Sequence, residues 1–227
     1  MLKNIPKKIL VVAVHPDDET LGCGGTLLKH QANGDEIFWC ILTSIEKNPS
    51  FNKDQISLRK SEIQAVASAY GFQDVQQLHF PTMSLDTIPM TELVDSLSTV
   101  IKKIEPTTLY LPFAEDVHSD HRIAFQAAYS CTKNFRFPFI KKILMTEILS
   151  ETEFAPSVPG KTFTPNCFVD ITKFIEKKIA IIQRYTSEIA PHPFPRSIEN
   201  IKALATMRGA TAGCRYAESF MLLKEIM

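Results

Sequence analysis

The run Ile9-Leu10-Val11-Val12-Ala13-Val14, followed at once by His15-Pro16-Asp17-Asp18-Glu19, decides how this chain is read. An unbroken apolar, β-branched run marks a strand covered on both faces, the kind found in parallel sheets. Pro16 cannot continue a central strand, so the strand ends there. From Glu19 to Asn33 the pattern turns helical, with Leu21, Gly25, Leu28 and Ala32 on one stripe and Gly34 as the stop. The turn between them carries one imidazole and three carboxylates within five residues. It lies at the carboxyl end of a strand, where open α/β sheets bind ligands.

Outward from this unit, strands and helices alternate. Strands are predicted over 36–43, 76–80, 108–111, 142–148, 167–171 and 219–224. Helices are predicted over 57–70, 91–104, 120–133, 172–189 and 197–207. Segment 151–165 reads as a surface loop, and Pro191 to Pro195 as a rigid irregular one. Strands separated by helices of this length form right-handed βαβ units. The expected fold is a Rossmann-like three-layer α/β/α arrangement with a mostly parallel central sheet, in one domain spanning 1–227.

Composition closes off other classes. The 227 residues are 44% hydrophobic and 22% charged, ordinary globular values. Twenty-five Lys and Arg balance 25 Asp and Glu, which argues against binding to nucleic acid through phosphate neutralisation. Five cysteines, none closer than 17 residues to another, suggest neither a disulfide framework nor a CxxC zinc site, and fit a reducing compartment. The start of the chain lacks the features of a signal peptide. No apolar stretch approaches the roughly 20 residues that span a bilayer, so a cytoplasmic protein without membrane insertion is expected. The oligomeric state is left open, a homo-oligomer included.

The second polar cluster is His118-Ser119-Asp120-His121, after the strand at 108–111 and hence on the same sheet edge. The two clusters together supply two histidines and a carboxylate. Such a donor set, with a fourth position open, builds a catalytic rather than a structural zinc site, and also accepts iron(II). Asp17 and Asp18 are adjacent, and residue chemistry alone could make either one the ligand and the other the base.

HPDDE after an apolar strand, with HSDH about 100 residues later, resembles the PIG-L/LmbE-type zinc-dependent N-deacetylases. The helix LRKSEIQAVASAYGF resembles that family's RxxE helix. The tail RGATAGCRYAESF, Arg208 to Phe220, resembles the bacterial branch near the bacillithiol-pathway enzymes. The resemblance implies that His15, Asp18 and His121 bind the metal and that Asp17 is the general base for the attacking water. It implies that His118 steadies the oxyanion or protonates the leaving amine, and that Asp120 tunes His118. Arg59 would hold the substrate, and glycines 22, 24 and 25 would let a ligand approach the helix start. The implied reaction removes acetate from an N-acetylated amino sugar, a conjugate of the GlcNAc type.

Further candidates are His192 in the PHPFP loop, with Arg208 and Tyr216 from the tail, as substrate-binding residues. Glu218 is another reach from the tail, and Glu19 supports the turn. An amidase on a non-acetyl amide, or a deacetylase of a nucleotide sugar, would use the same site. A Rossmann-like nucleotide binder is disfavoured, because HPDDETLGCGG is not GxGxxG and its carboxylates would repel phosphate. A non-catalytic metal- or sugar-binding protein would have no use for Asp17.

Overall fold

The computed structural model describes residues 6–227. The expectation that no signal peptide is present rests in part on residues 1–5 and to that extent lies outside the described residues. In chain order the elements are β1 (Lys8–Ala13), α1 (Asp18–Ala32), β2 (Glu36–Ser44), α2 (Lys53–Tyr70), β3 (Asp74–Pro81), α3 (Met90–Ile104), β4 (Thr108–Leu111), α4 (Ser119–Ser130), β5 (Lys142–Thr146), β6 (Cys167–Asp170), α5 (Ile175–Ile182), α6 (Ile198–Ala212) and β7 (Ala217–Glu225). One seven-stranded sheet takes the order β3-β2-β1-β4-β5-β7-β6. The first five strands in that order pair in parallel, and β7 runs antiparallel to both β5 and β6.

β1 is the middle one of the five parallel strands, and its alternation feeds two cores. Ile9, Val11 and Ala13 join Leu27 of α1, Val66 of α2, Ile179 of α5 and Ile201 of α6. Leu10, Val12 and Val14 join Leu93 and Leu97 of α3 and Ala124 of α4 on the other face. A strand buried on both faces has no polar side to present, which is why ILVVAV carries no alternation. The layers are therefore α/β/α. Among the described residues no helix is long and apolar enough to cross a membrane, and the five cysteines are free.

Several boundaries differ from the sequence pattern. Helix α2 begins at Lys53 rather than Ser57, because Asn52 accepts from the Gln55 amide while Gln55 accepts from that of Asn52, both at 2.9 Å. Helix α4 stops at Ser130, where Thr132 Oγ1 turns back onto the Tyr129 carbonyl at 2.8 Å. Helix α6 runs on to Ala212, and the apolar pattern over 172–189 yields only the eight residues of α5. Beyond Ile182 the chain leaves the helix because its side chains and amides have partners elsewhere. Tyr185 Oη donates to Glu19 at 2.9 Å, and the Thr186 amide donates to Glu62 at 2.9 Å.

The glycines of α1 face protein and not an open ligand path. A Cβ on Gly22 would lie 2.8 Å from Thr146 Cβ, one on Gly25 would lie 2.8 Å from Ile171, and one on Gly24 would meet Tyr70 Oη. The helix also breaks at Cys23, where φ is −149°. The Gly25 and Thr26 amides just after the break donate to the buried Glu218 carboxylate at 2.8 and 2.7 Å, and Lys178 neutralises that carboxylate at 2.7 Å. Glu218 thus caps the second half of α1 from β7, a structural role that explains why it is buried.

Candidate active site

The chain crosses from one side of β1 to the other between β3 and β4, so the β1 and β4 ends flank the topological switch point of the sheet. Both polar clusters follow these two neighbouring strands. His15 Nδ1, Asp18 Oδ2 and His121 Nε2 form a triangle with edges of 3.4, 3.5 and 4.0 Å. Ligands about 2.1 Å from a shared tetrahedral centre stand about 3.4 Å apart, so these atoms fit one divalent ion. Asp17 is outside this triangle.

Each donor is held from behind. Asp18 Oδ2 accepts from the Val14 and His15 amides at 2.9 and 2.8 Å. His15 Nε2 lies 3.4 Å from Asp120, whose carboxylate also accepts from the Met83 and Leu85 amides at 2.7 and 3.0 Å. His121 Nδ1 lies 2.9 Å from the fully buried Asp116, which Thr152 Oγ1 steadies at 2.7 Å. A carboxylate behind each imidazole fixes its tautomer with the metal-facing nitrogen bare. Asp120 is therefore the side-chain partner of His15, whereas the family resemblance implied that it tunes His118.

His118 meets Asp120 differently: its Nδ1 accepts from the Asp120 amide at 3.1 Å. The ring proton then sits on Nε2. Burial, with His15 and His121 nearby, lowers the His118 pKa to about 4, so the ring is a neutral donor rather than an imidazolium.

Asp17 is buried with φ at 134°, a conformation that costs a non-glycine residue energy and is typical of functional turns. Its amide donates to Glu19 at 3.0 Å. Glu19 in turn accepts from Thr20 Oγ1 at 2.6 Å and from Tyr185. Burial pushes Glu19 up to about 7. Burial and the adjacent Asp18 push Asp17 well above the carboxylate range, against the pull of Arg196. Arg196 Nη1 donates to Asp17 Oδ2 at 2.8 Å and Nη2 lies 3.2 Å from Glu188. Crowded, destabilised carboxylates are what a bound cation would relieve.

These groups open into a cavity of about 280 Å³, whose walls include Phe51, Ile56, Lys60, Gln77 and Glu151. Arg59 lines it, yet its nitrogens are engaged with the protein. Nη1 donates to Pro16 O at 3.0 Å, Nη2 donates to Ser187 at 2.9 Å and to Glu188, and Nε lies 3.1 Å from Glu62. Three further candidates, one from the PHPFP loop and two from the tail, are placed elsewhere. Arg208 pairs with Glu147, Tyr216 lies near Thr172, and His192 is exposed outside the cavity walls. The loop that holds His192 delivers Arg196 instead. Sequence reasoning missed Asp116, Glu151, Glu188 and Arg196; Asp116 lies two residues before His118, and Arg196 directly follows the PHPFP loop.

Comparison with known proteins gives matching results. The family model described as PIG-L, GlcNAc-PI de-N-acetylase, matches residues 10–132. The diacetylchitobiose deacetylase of Thermococcus kodakarensis is 25% identical over 98% of this chain and 85% of its own length. A probable N-acetyl-alpha-D-glucosaminyl L-malate deacetylase of Bacillus cereus is 28% identical over 51% of this chain and 56% of its own. Among solved structures, the N,N'-diacetylchitobiose deacetylase of Pyrococcus horikoshii shares the fold. Its TM-score is 0.76 at 23% identity, covering 96% of this chain and 84% of that one.

Proposed function

This chain belongs to the PIG-L family, and from that premise we propose that it is a metal-dependent hydrolase that removes the acetyl group from an N-acetylated amino sugar of the GlcNAc type. The observation that carries the mechanism is the donor triangle with Asp17 beside it and outside it. We assign His15, Asp18 and His121 as ligands of one zinc ion, a set that iron(II) also suits. When bound, the ion supplies Lewis acidity at the amide carbonyl and lowers the pKa of water.

The remaining work falls to the chain's own residues. Asp17 is the general base, its carboxyl raised toward the working pH by burial and held in place by Arg196. It removes a proton from the attacking water and has that proton to return to the leaving nitrogen. His118, neutral with its proton on Nε2, donates to the developing oxyanion. Asp116 and Asp120 keep the two ligand imidazoles oriented. Arg59 braces the turn through Pro16 and joins it to Glu188. The chain works as one domain in the cytoplasm.

Acetate release from N-acetylglucosamine glycosides, before and after chelation and after zinc is restored, tests this directly. Activity that disappears with the metal and returns with zinc is expected. Acetate release that survives complete metal removal would rule the mechanism out.

A further inference from the structure

Among the described residues, every cation that lines the cavity already faces a carboxylate of the protein. Arg59 lies between Glu188 and Glu62, and Arg196 between Asp17 and Glu188. Lys60, on the rim, lies 2.9 Å from Glu46. Five carboxylates line the cavity against these three cations, and a divalent ion at the donor triangle closes the difference. With all five ionised the loaded pocket is neutral in sum, and no side-chain cation of the lining is left unpaired to receive an anion.

The remaining lining completes the pattern. Phe51 and Ile56 are half-buried and give an apolar wall of the kind on which a sugar ring packs. Glu151 Oε2 is buried without a hydrogen-bond partner among the described residues. A buried acceptor left unpaired is costly, and a hydroxyl of a bound sugar satisfies it whereas an anion is repelled.

Resting on the deacetylase reading, we propose that this pocket takes N-acetyl amino sugars with uncharged aglycones and discriminates against acidic ones, with Glu46 acting as a specificity determinant by occupying Lys60. A carboxylate brought into the cavity must displace Glu46 or Glu188 from its partner or remain unpaired beside Glu151. Like-charge juxtaposition of this kind is a strong form of discrimination.

The experiment compares two N-acetylglucosaminides of matched size, one with a 2-hydroxyethyl aglycone and one with a carboxymethyl aglycone, on the zinc-loaded chain. The uncharged glycoside should have a kcat/KM higher by about tenfold or more, and raised salt should narrow the gap. Glu46→Gln releases Lys60 and should also narrow it. Equal rates, or a faster acidic glycoside, would overturn the proposal and leave the deacetylase reading standing. A gap unchanged in Glu46→Gln would overturn the role of Glu46. Acetate released from neither glycoside counts against the deacetylase reading itself. Calorimetry of the same pair then decides the pocket separately: preferential binding of the uncharged glycoside retains the charge argument, and equal binding or none ends it.

Discussion

Replacing Asp116 by asparagine removes a charge from behind His121 while keeping the shape of a fully buried side chain. In the metal-free chain burial opposes a charged His121 ring. The carboxylates of Asp18 and Asp116 outweigh that, and the His121 pKa rises from 6.5 to about 9. A metal must displace this proton. At pH 7, about two units below, the displacement costs on the order of 3 kcal/mol. Wild-type metal affinity should therefore climb about tenfold per pH unit up to about pH 9. Loss of a carboxylate behind a ligating histidine weakens metal binding by about 10–100-fold. Near pH 9 the Asp116→Asn variant should show that full loss. Near pH 7 its more easily deprotonated His121 offsets part of it, so the gap between the two proteins narrows as pH falls. Competition against a chromophoric chelator at both pH values measures this, with circular dichroism to confirm the fold. Equal affinities at pH 9, or a gap that widens toward pH 7, would refute the reasoning.

Asp17→Asn should keep its metal and lose about 10²–10⁴ in kcat, while Asp18→Asn should lose the metal; metal content and steady-state rates on both distinguish base from ligand. The metal-free chain should lose thermal stability as pH rises. Glu19 and Glu151, both raised from 4.5 to about 7, stabilise the fold fully below pH 4.5 and less as pH passes 7, and His121 adds a second decline from 6.5 through about 9. Melts of metal-free Glu19→Gln should show a flatter fall over the lower window, and an unchanged slope would contradict the assignment. Arg59→Lys should lower stability by about 1.5–3 kcal/mol by denaturant titration, because Lys cannot hold Pro16 and Glu188 together; a raised KM with stability intact would restore Arg59 as a substrate ligand. Gly25→Ala should cost about 1–3 kcal/mol, since its new Cβ would press on Ile171, and a stability equal to wild type would show that the contact yields.

The elements most legible in the sequence were those whose pattern depends on burial alone. The ILVVAV run and the Thr108–Leu111 strand stood out because both faces of each are covered. The start of α2 was hidden because its capping box lies in a polar stretch with no apolar stripe. Residues 183–189 kept a helical apolar rhythm while Tyr185 and Thr186 were committed to Glu19 and Glu62, contacts more than 100 residues away in sequence. The candidate site divides the same way. His15, Asp17, Asp18, His118, Asp120 and His121 sit in two short motifs. Glu151, Glu188 and Arg196 reach the cavity from segments with no motif of their own, and only the folded chain brings them to it.

The donor triangle stands on the ends of two strands hydrogen-bonded to each other at the centre of the sheet. Much of the cavity's outer wall comes from other segments: residues 45–63, 148–151 and 188–196. Reaction chemistry and recognition are thus built on different parts of the chain, one anchored on the central sheet and the other borne largely on segments around it. Such a division makes the fold a good host for retooling. Libraries confined to residues 45–56 can change which sugar is held while the reaction centre stays in place, so new specificities should be reachable in single steps without first losing activity.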